Sequence, residues 1–192
     1  MDLSTPTLFF GALVLAVAAL RVFELNLSRK RTAALIDVGA LKVPEPHFRS
    51  MVALHSGILI GCLIEAWLRA RPPGAALTLS MLALVLAANA LRLWVIATLG
   101  RHWNVRIIAS LPLGVISQGP FRFIRHPNYL AVFVELLALP LAGGAWITAG
   151  AGAVGHAWVL AHRIRCEEHM LMSDAEYRAR MGHKSRFIPG LL

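Results

Sequence analysis

Two short stretches of this sequence carry residue types that can do chemistry together. The first is Gly119-Pro120-Phe121-Arg122-Phe123-Ile124-Arg125-His126-Pro127-Asn128-Tyr129. Gly119-Pro120 is turn chemistry. Pro127 restricts His126 to an extended conformation and suits the first position of a helix. The amides that follow then point out of a helix N-terminus, where an anion is favoured. The second stretch is Arg163-Ile164-Arg165-Cys166-Glu167-Glu168-His169, with two adjacent carboxylates in a mostly basic neighbourhood. Arg163 and Glu167 are spaced i, i+4 and share a helix face. One stretch offers arginine, imidazole and amides; the other offers carboxylates. A ligand with both a carboxylate and a cation suits the pair. Taken singly, the first reads equally as an interfacial anchor and the second as a solvated helix with a surface ion pair.

The elements that must position these stretches follow from composition. A chain of 192 residues allows one domain or one bundle. Of its residues 57% are apolar and only 15% charged, against about 25% charged in soluble domains, and the mean hydropathy is +0.64. A soluble globule cannot hide that much apolar surface, and a disordered chain, a collagen and a disulfide scaffold are excluded. The net charge of +9 sits between apolar runs rather than on one stripe, which fits membrane flanks and not nucleic acid. The two cysteines cannot form a metal knuckle, and Cys62 reads as a packing residue.

A crossing of ~30 Å needs about 20 apolar helical residues. Runs at 5–25, 51–68 and 75–99 qualify, and a fourth spans 129–161. Pro140 and Gly143-Gly144 interrupt the fourth, which splits into a hairpin of 129–142 and 145–162. The predicted fold is all-α and integral to the membrane. It has five transmembrane helices, a helix 4–5 hairpin, a cytoplasmic cofactor loop, a C-terminal amphipathic helix beginning near Asp174 and a closing strap at Phe187-Ile188-Pro189. A single domain is expected. Residues 1–97 hold the first three helices, 98–168 the loop and hairpin, and 169–192 the tail. Fifteen of the 19 basic residues fall in loops one and three and the tail, against Arg69 and Arg71 opposite. This bias places the N-terminus outside and the C-terminus in the cytoplasm. Met1-Asp2-Leu3 lacks a positive n-region, so the first helix is expected to stay as an anchor.

Several polar residues lie inside the spans, where they are costly and mark a site or an internal pair. Arg21 and Glu24 read as a structural pair, Glu65 as reaching headgroups and His55 as a bundle hydrogen-bonder. Asn89 and Arg92 read equally as interhelical glue or the wall of a polar pocket. The hairpin returns the chain to the face it left, so Tyr129 and Glu167 can meet at one cytoplasmic mouth. S-adenosyl-L-methionine has an amino-acid end of both charges and a sulfonium besides, and the mouth is compatible with it without requiring it.

Gly119–Tyr129 followed, after a hairpin, by Glu167-Glu168 resembles the RHPxY…EE signature of the isoprenylcysteine carboxyl methyltransferase family, and Thr98–Ile108 resembles the segment entering that loop. The resemblance implies a membrane methyltransferase that uses S-adenosyl-L-methionine. It implies a cofactor pocket lined by Leu113, Gly114, Val115 and Ile116 (a loop strand), Phe121, His126, Pro127 and Tyr129, with Glu167 holding the ammonium group. It also implies that Arg163 faces and orients the acceptor. Leu113 stands where the family often has His, and Phe121 where it often has Tyr. The front half resembles a bacterial branch associated with O-methylation of long-chain alkylpyrones and alkylresorcinols. These resemblances imply a bacterial inner-membrane enzyme acting on a lipophilic carboxylate or lipidic phenol or enol among membrane lipids; a monomer is compatible with the sequence, which does not fix the oligomeric state.

Methyl transfer is an in-line displacement from a sulfonium, so alignment at about 3–3.5 Å is the main requirement and no metal is needed. A phenol must also lose a proton. Arg163 can stabilise the oxyanion, and Glu168 or His126 can take the proton. A phospholipid N-methyltransferase, a membrane NADPH-dependent reductase of similar architecture and a non-catalytic scaffold are the alternatives.

Overall fold

Nothing between Leu25 and Val38 breaks a helix, and α1 runs as one rod over Thr5–Asp37, well past the end of its apolar run. It stops at Gly39, whose φ of 84° an L side chain rarely adopts. The amide of Gly39 donates to Ile36 O and that of Ala40 to Leu35 O. Leu35 and Ala40 are both buried beneath this turn, the arrangement of a Schellman stop. The computed structural model describes residues 5–45, 47–69, 73–109 and 113–190. After α1 come β1 (Leu41–Lys42), α2 (Phe48–Arg69), α3 (Ala75–Leu99), β2 (Ile108–Ala109), α4 (Pro127–Ala142), α5 (Trp146–Leu171) and α6 (Ala175–Met181). Met1-Asp2-Leu3 and Arg71 lie outside the described residues.

The expected hairpin forms. Ala145 N donates to Pro140 O and Gly144 N to Leu141 O, with Gly144 at φ 74°. Pro140 lacks only one donor in the last turn of α4, so the helix survives it. The start of α5 is capped from a neighbour: Ile147 N and Thr148 N donate to the Glu65 carboxylate at 3.0 and 2.8 Å. Glu65 therefore ties α2 to α5, where the sequence suggested headgroup contact. Its charge also complements the positive end of the α5 dipole.

By length and apolarity α1, α2 and α3 can each cross a membrane. The fourth helix is apolar but has 16 residues, about 24 Å at 1.5 Å per residue, and α5 carries glycine, histidine and arginine among its apolar residues. The five expected crossings thus become three clear ones plus a hairpin that packs on them, with α4 against α3 and α5 against α2. Leu8, Leu15, Phe23, Ile64, Leu86 and Leu93 face outward, as a lipid-facing surface requires.

The interior changes character along the bundle. At the hairpin-turn end Phe10, Val14, Ile58, Cys62, Val85 and Leu139 form a dry core. Toward the tail end stands an ionic cluster: Glu24 receives Arg92 at 2.6 Å and Arg21 at 2.8 Å, and Arg21 also reaches Glu135 at 3.3 Å. Asn89 accepts from Arg21 as well. The interhelical reading of Asn89 and Arg92 holds, because the cluster ties α1, α3 and α4 together; Arg92, but not Asn89, also lines a mostly apolar cavity.

Candidate active site at the mouth of the bundle

Local geometry at the start of α4 is set by the tail. The His126 carbonyl accepts from Leu130 N at 3.2 Å, closing the first helical turn, while its amide donates to Arg186 O at 3.0 Å. Between these demands His126 takes φ −122° and ψ 54°, so it is extended in φ only. The amide of Arg125 donates to Ser185 O at 2.9 Å, and Lys184 Nζ donates to Phe121 O at 2.7 Å. The tail therefore lies across the RHPNY segment at 184–186, just before the expected strap at 187–189, of which Phe187 stands 6.3 Å from the His126 ring. Its helix, α6, is capped by Asp174, which accepts from Tyr177 N at 2.7 Å, a contact worth about 1 kcal/mol.

The helix α5 continues unbroken past residue 162 to Leu171, so the second charged stretch lies on the helix itself. Its two adjacent carboxylates grip two residues of the first stretch. Glu167 Oε2 accepts from Tyr129 Oη at 2.5 Å, and Glu168 Oε1 lies 3.0 Å from His126 Nε2. Arg186 donates to Glu168 through Nη2 at 2.6 Å and Nε at 3.1 Å, and Arg125 Nη1 stands 3.3 Å away. Burial pushes the Glu168 carboxyl up, but the hydrogen bonds of His126 and Arg186 and the charges of His126 and Arg125 bring it down to about 2. Burial and the charge of Glu167 push the Tyr177 phenol up, so it stays protonated.

Arg163 takes a partner other than Glu167. Its Nη1 bonds Glu45 at 2.6 Å and its Nη2 bonds Val105 O at 2.8 Å, and its guanidinium lies 5.8 Å from the Tyr129 ring. Glu45 also accepts from Ile107 N at 2.8 Å. The loop around Val105 is stitched to the long end of α1, where Ser28 and Thr32 bond Asn104 at 2.6 and 2.8 Å. The β1–β2 pair, with Leu41 opposite Ala109, completes this clamp.

Two cavities meet here. The mouth cavity opens beside the start of α4, and every expected cofactor residue lines it except Leu113. The stretch from Gly114 to Ile116 is irregular chain rather than the expected strand, since the strand pairing in this loop belongs to Ile108–Ala109. Tyr177 and Met181 of α6 close one side. A second, mostly apolar cavity lies within the bundle. The two share Trp103, Asn104, Val105, Asn128, Tyr129 and Arg163. Arg163 thus stands between them. Glu168, expected to act in catalysis, lines neither cavity; its carboxylate is taken up by the cations that hold the mouth together. In the mouth, Arg125 Nε, Asn128 Oδ1 and Trp103 Nε1 are buried without a partner. Donors, an acceptor, the open amides of α4 and the Glu167 carboxylate fit a zwitterion with a nitrogenous ring.

Comparisons with known proteins agree with this geometry. The isoprenylcysteine carboxyl methyltransferase family profile matches residues 81–173, which hold both charged stretches. An uncharacterized protein of Haemophilus influenzae is 30% identical over 163 residues, 84% of this chain and 94% of its own. The chain belongs to the isoprenylcysteine carboxyl methyltransferase family. The uncharacterized protein YpbQ of Bacillus subtilis is 26% identical over 162 residues, covering 84% of this chain and 96% of that one. A solved eukaryotic intramembrane Ras methyltransferase of the family has the same fold, with a TM-score of 0.56 at 21% identity. The match covers 76% of this chain and 55% of the solved one. This family member is therefore a helical membrane protein of a methyltransferase family.

Residues the sequence reading missed are Glu45, Trp103, Tyr177 and Met181. Glu45 had a signal: it is acidic, between two prolines, in a loop otherwise rich in lysine and arginine. Trp103, Tyr177 and Met181 had none, because an apolar wall residue looks like any packing residue until the cavity exists.

Proposed function

We propose that the protein is an S-adenosyl-L-methionine-dependent O-methyltransferase that acts on a lipophilic acceptor. The observation that carries this reading is the shared wall: a mouth cavity with a charge pattern for a zwitterion and an apolar cavity inside the bundle are separated only by residues such as Tyr129 and Arg163. Bound there, the cofactor supplies an electrophilic methyl on sulfur. Glu167 holds its ammonium group, and Arg125, His126 and the first amides of α4 hold its carboxylate. The irregular chain at Gly114–Ile116 and the side chains of α6 pack its flat ring. Arg163, fixed by Glu45 and Val105, holds the acceptor oxygen in line. Glu168 keeps the tail over the mouth, and its placement argues for a positioning role in place of proton transfer.

The acceptor comes sideways from the bilayer. Each CH2 that stays in apolar surroundings preserves about 0.8 kcal/mol, and a long tail never has to cross water. The α4–α5 hairpin completes a five-helix bundle with the N-terminus outside and the tail in the cytoplasm, in keeping with the basic loops. The lipidated target named for the solved relative also supports an acceptor of this class.

The test is incubation of membranes containing the protein with S-adenosyl-L-methionine labelled in the methyl group, followed by lipid extraction. Label in an ester or ether of a lipid is expected, with loss of the product in Arg163→Lys. Label on nitrogen, or no lipid product from any extract, overturns the reading.

A further inference from the structure

The outer side of the α4–α5 hairpin holds a third hollow. The lipid-facing side of α5 carries large exposed residues at Ile147, Val154 and Trp158. Ala157 and Ala161 are exposed there too, and their small side chains leave a trough between α5 and α4. Leu130 and Phe133 of α4 and Ile164 of α5 complete its apolar surface. The trough has a volume of about 530 Å³, and from Ala157 to Arg165 it runs about 12 Å along α5. At its tail end stand Phe187 and Ile188 together with two cations, Arg165 and Arg186. It shares no residue with the mouth cavity and only Leu160 with the bundle cavity, so it stands apart from both.

Charge decides what suits this trough. No residue that lines it is acidic. Arg165 is exposed and makes no hydrogen bond or ion pair among the described residues. Arg186 uses Nε and Nη2 on Glu168, which leaves its Nη1 open. Glu168 also holds Arg125, so one carboxylate faces two guanidiniums, and Arg165 adds a third. Positive charge is thus in surplus at one end of an apolar trough. A lipid tail gains little by leaving the bilayer for such a surface, because the tails around it are equally apolar. Selection must come from the head, and a basic pocket between the ends of membrane helices suits an anionic one. We infer that the trough holds an anionic phospholipid, with one tail lying on Ala157 and Ala161 and the phosphate between Arg165 and Arg186. The same lipid fastens the tail of the chain. Its wall at Arg186–Ile188 adjoins the bonds from Arg125 N to Ser185 O and from His126 N to Arg186 O, which hold the tail across the mouth. The site involves neither a methyl donor nor an acceptor and goes beyond the methyltransferase reading.

The test uses the full chain in a non-ionic detergent, titrated with phosphatidylglycerol or phosphatidylcholine of identical tails, and native mass spectrometry counts the bound lipids. One phosphatidylglycerol is expected to bind at least tenfold tighter than phosphatidylcholine. Arg165→Gln, whose side chain has no partner to lose, should weaken it roughly fivefold, the worth of one basic side chain beside an anionic head. Ala161→Trp fills the trough without touching a charge and should weaken it at least tenfold. Arg29→Gln removes a charge that is also exposed, on the extension of α1, and should leave binding unchanged. The bound lipid should also slow trypsin cleavage at Lys184 in the wild type at least threefold. Equal binding of the two headgroups overturns the inference, as does an Ala161→Trp protein that binds normally. A loss in Arg29→Gln as large as that in Arg165→Gln also overturns it, because a basic surface is then attracting lipid diffusely. Glycerol phosphate in large molar excess should not displace the lipid; displacement assigns the arginines to a free phosphate ester and overturns the lipid site. Cleavage at Lys184 that is indifferent to bound lipid overturns the fastening of the tail.

Discussion

Glu24, inside the bundle, and Glu168, at its mouth, are each held by arginines, but in different company. Glu24 is 3% exposed and bonds Arg21 and Arg92 from helices that already pack together. Glu168 bonds Arg125 and His126 from the start of α4 and Arg186 from the tail, and the Arg186 side chain is 47% exposed. The first cluster is mostly buried, so each of its charges depends on the others and breaking one strands the rest. The second is screened by water and joins a segment that few apolar contacts hold, so it can loosen without unfolding the bundle. One cluster builds the scaffold and lines the bundle cavity; the other fastens the wall of the mouth cavity.

This contrast sets the order of expected effects. Arg92→Leu leaves Glu24 short of its strongest partner inside the bundle, and thermal unfolding in detergent should register a loss of about 3–5 kcal/mol. Glu167→Gln keeps an oxygen for Tyr129 but removes the charge, and a charged hydrogen bond worth about 1.5–3 kcal/mol translates into cofactor binding roughly ten- to hundredfold weaker with little change in unfolding temperature. Glu168→Gln should release the tail: trypsin cleavage at Arg178 and Lys184 accelerates while cleavage of the bundle does not.

Acid repeats that last experiment in the native chain. The Glu168 carboxyl lies at about 2 in the folded protein, below an unfolded value of about 4.3. Its stabilising contribution is therefore complete above pH ~4.3 and disappears as pH falls through about 2. Tail cleavage by an acid protease should stay flat from pH 6 to 5 and rise only in the lower window. The smallest effect belongs to Arg180→Ala. Its bridge to Glu176 is 53% exposed on both sides, and its loss should stay within about 0.5 kcal/mol.

The helical hairpin was legible because Pro140 and Gly143-Gly144 are breakers with a defined geometry. Once the chain folds back there, Tyr129 and Glu167 must meet, and most of the mouth follows from local signals. The extension of α1 was not legible from apolarity. Hydrophobicity marks where a membrane ends, whereas a helix ends at a stop signal, here Gly39. That extension holds the Asn104–Val105 loop, which in turn holds Arg163. The Glu45–Arg163 pair spans 118 residues, and no spacing rule reaches that far. Glu167 and Glu168 could not be told apart in the sequence, since adjacent carboxylates are indistinguishable until neighbouring segments supply Tyr129 to one and Arg186 to the other.

The account stands on Tyr129 and Glu167 forming one side of a pocket for a methyl donor. Equilibrium dialysis of labelled S-adenosyl-L-methionine against the purified chain tests this most directly. Saturable binding by the wild type, weakened at least tenfold in Glu167→Gln and in His126→Ala while both variants unfold as cooperatively as the parent, is the result expected. Equal binding by all three proteins would contradict it.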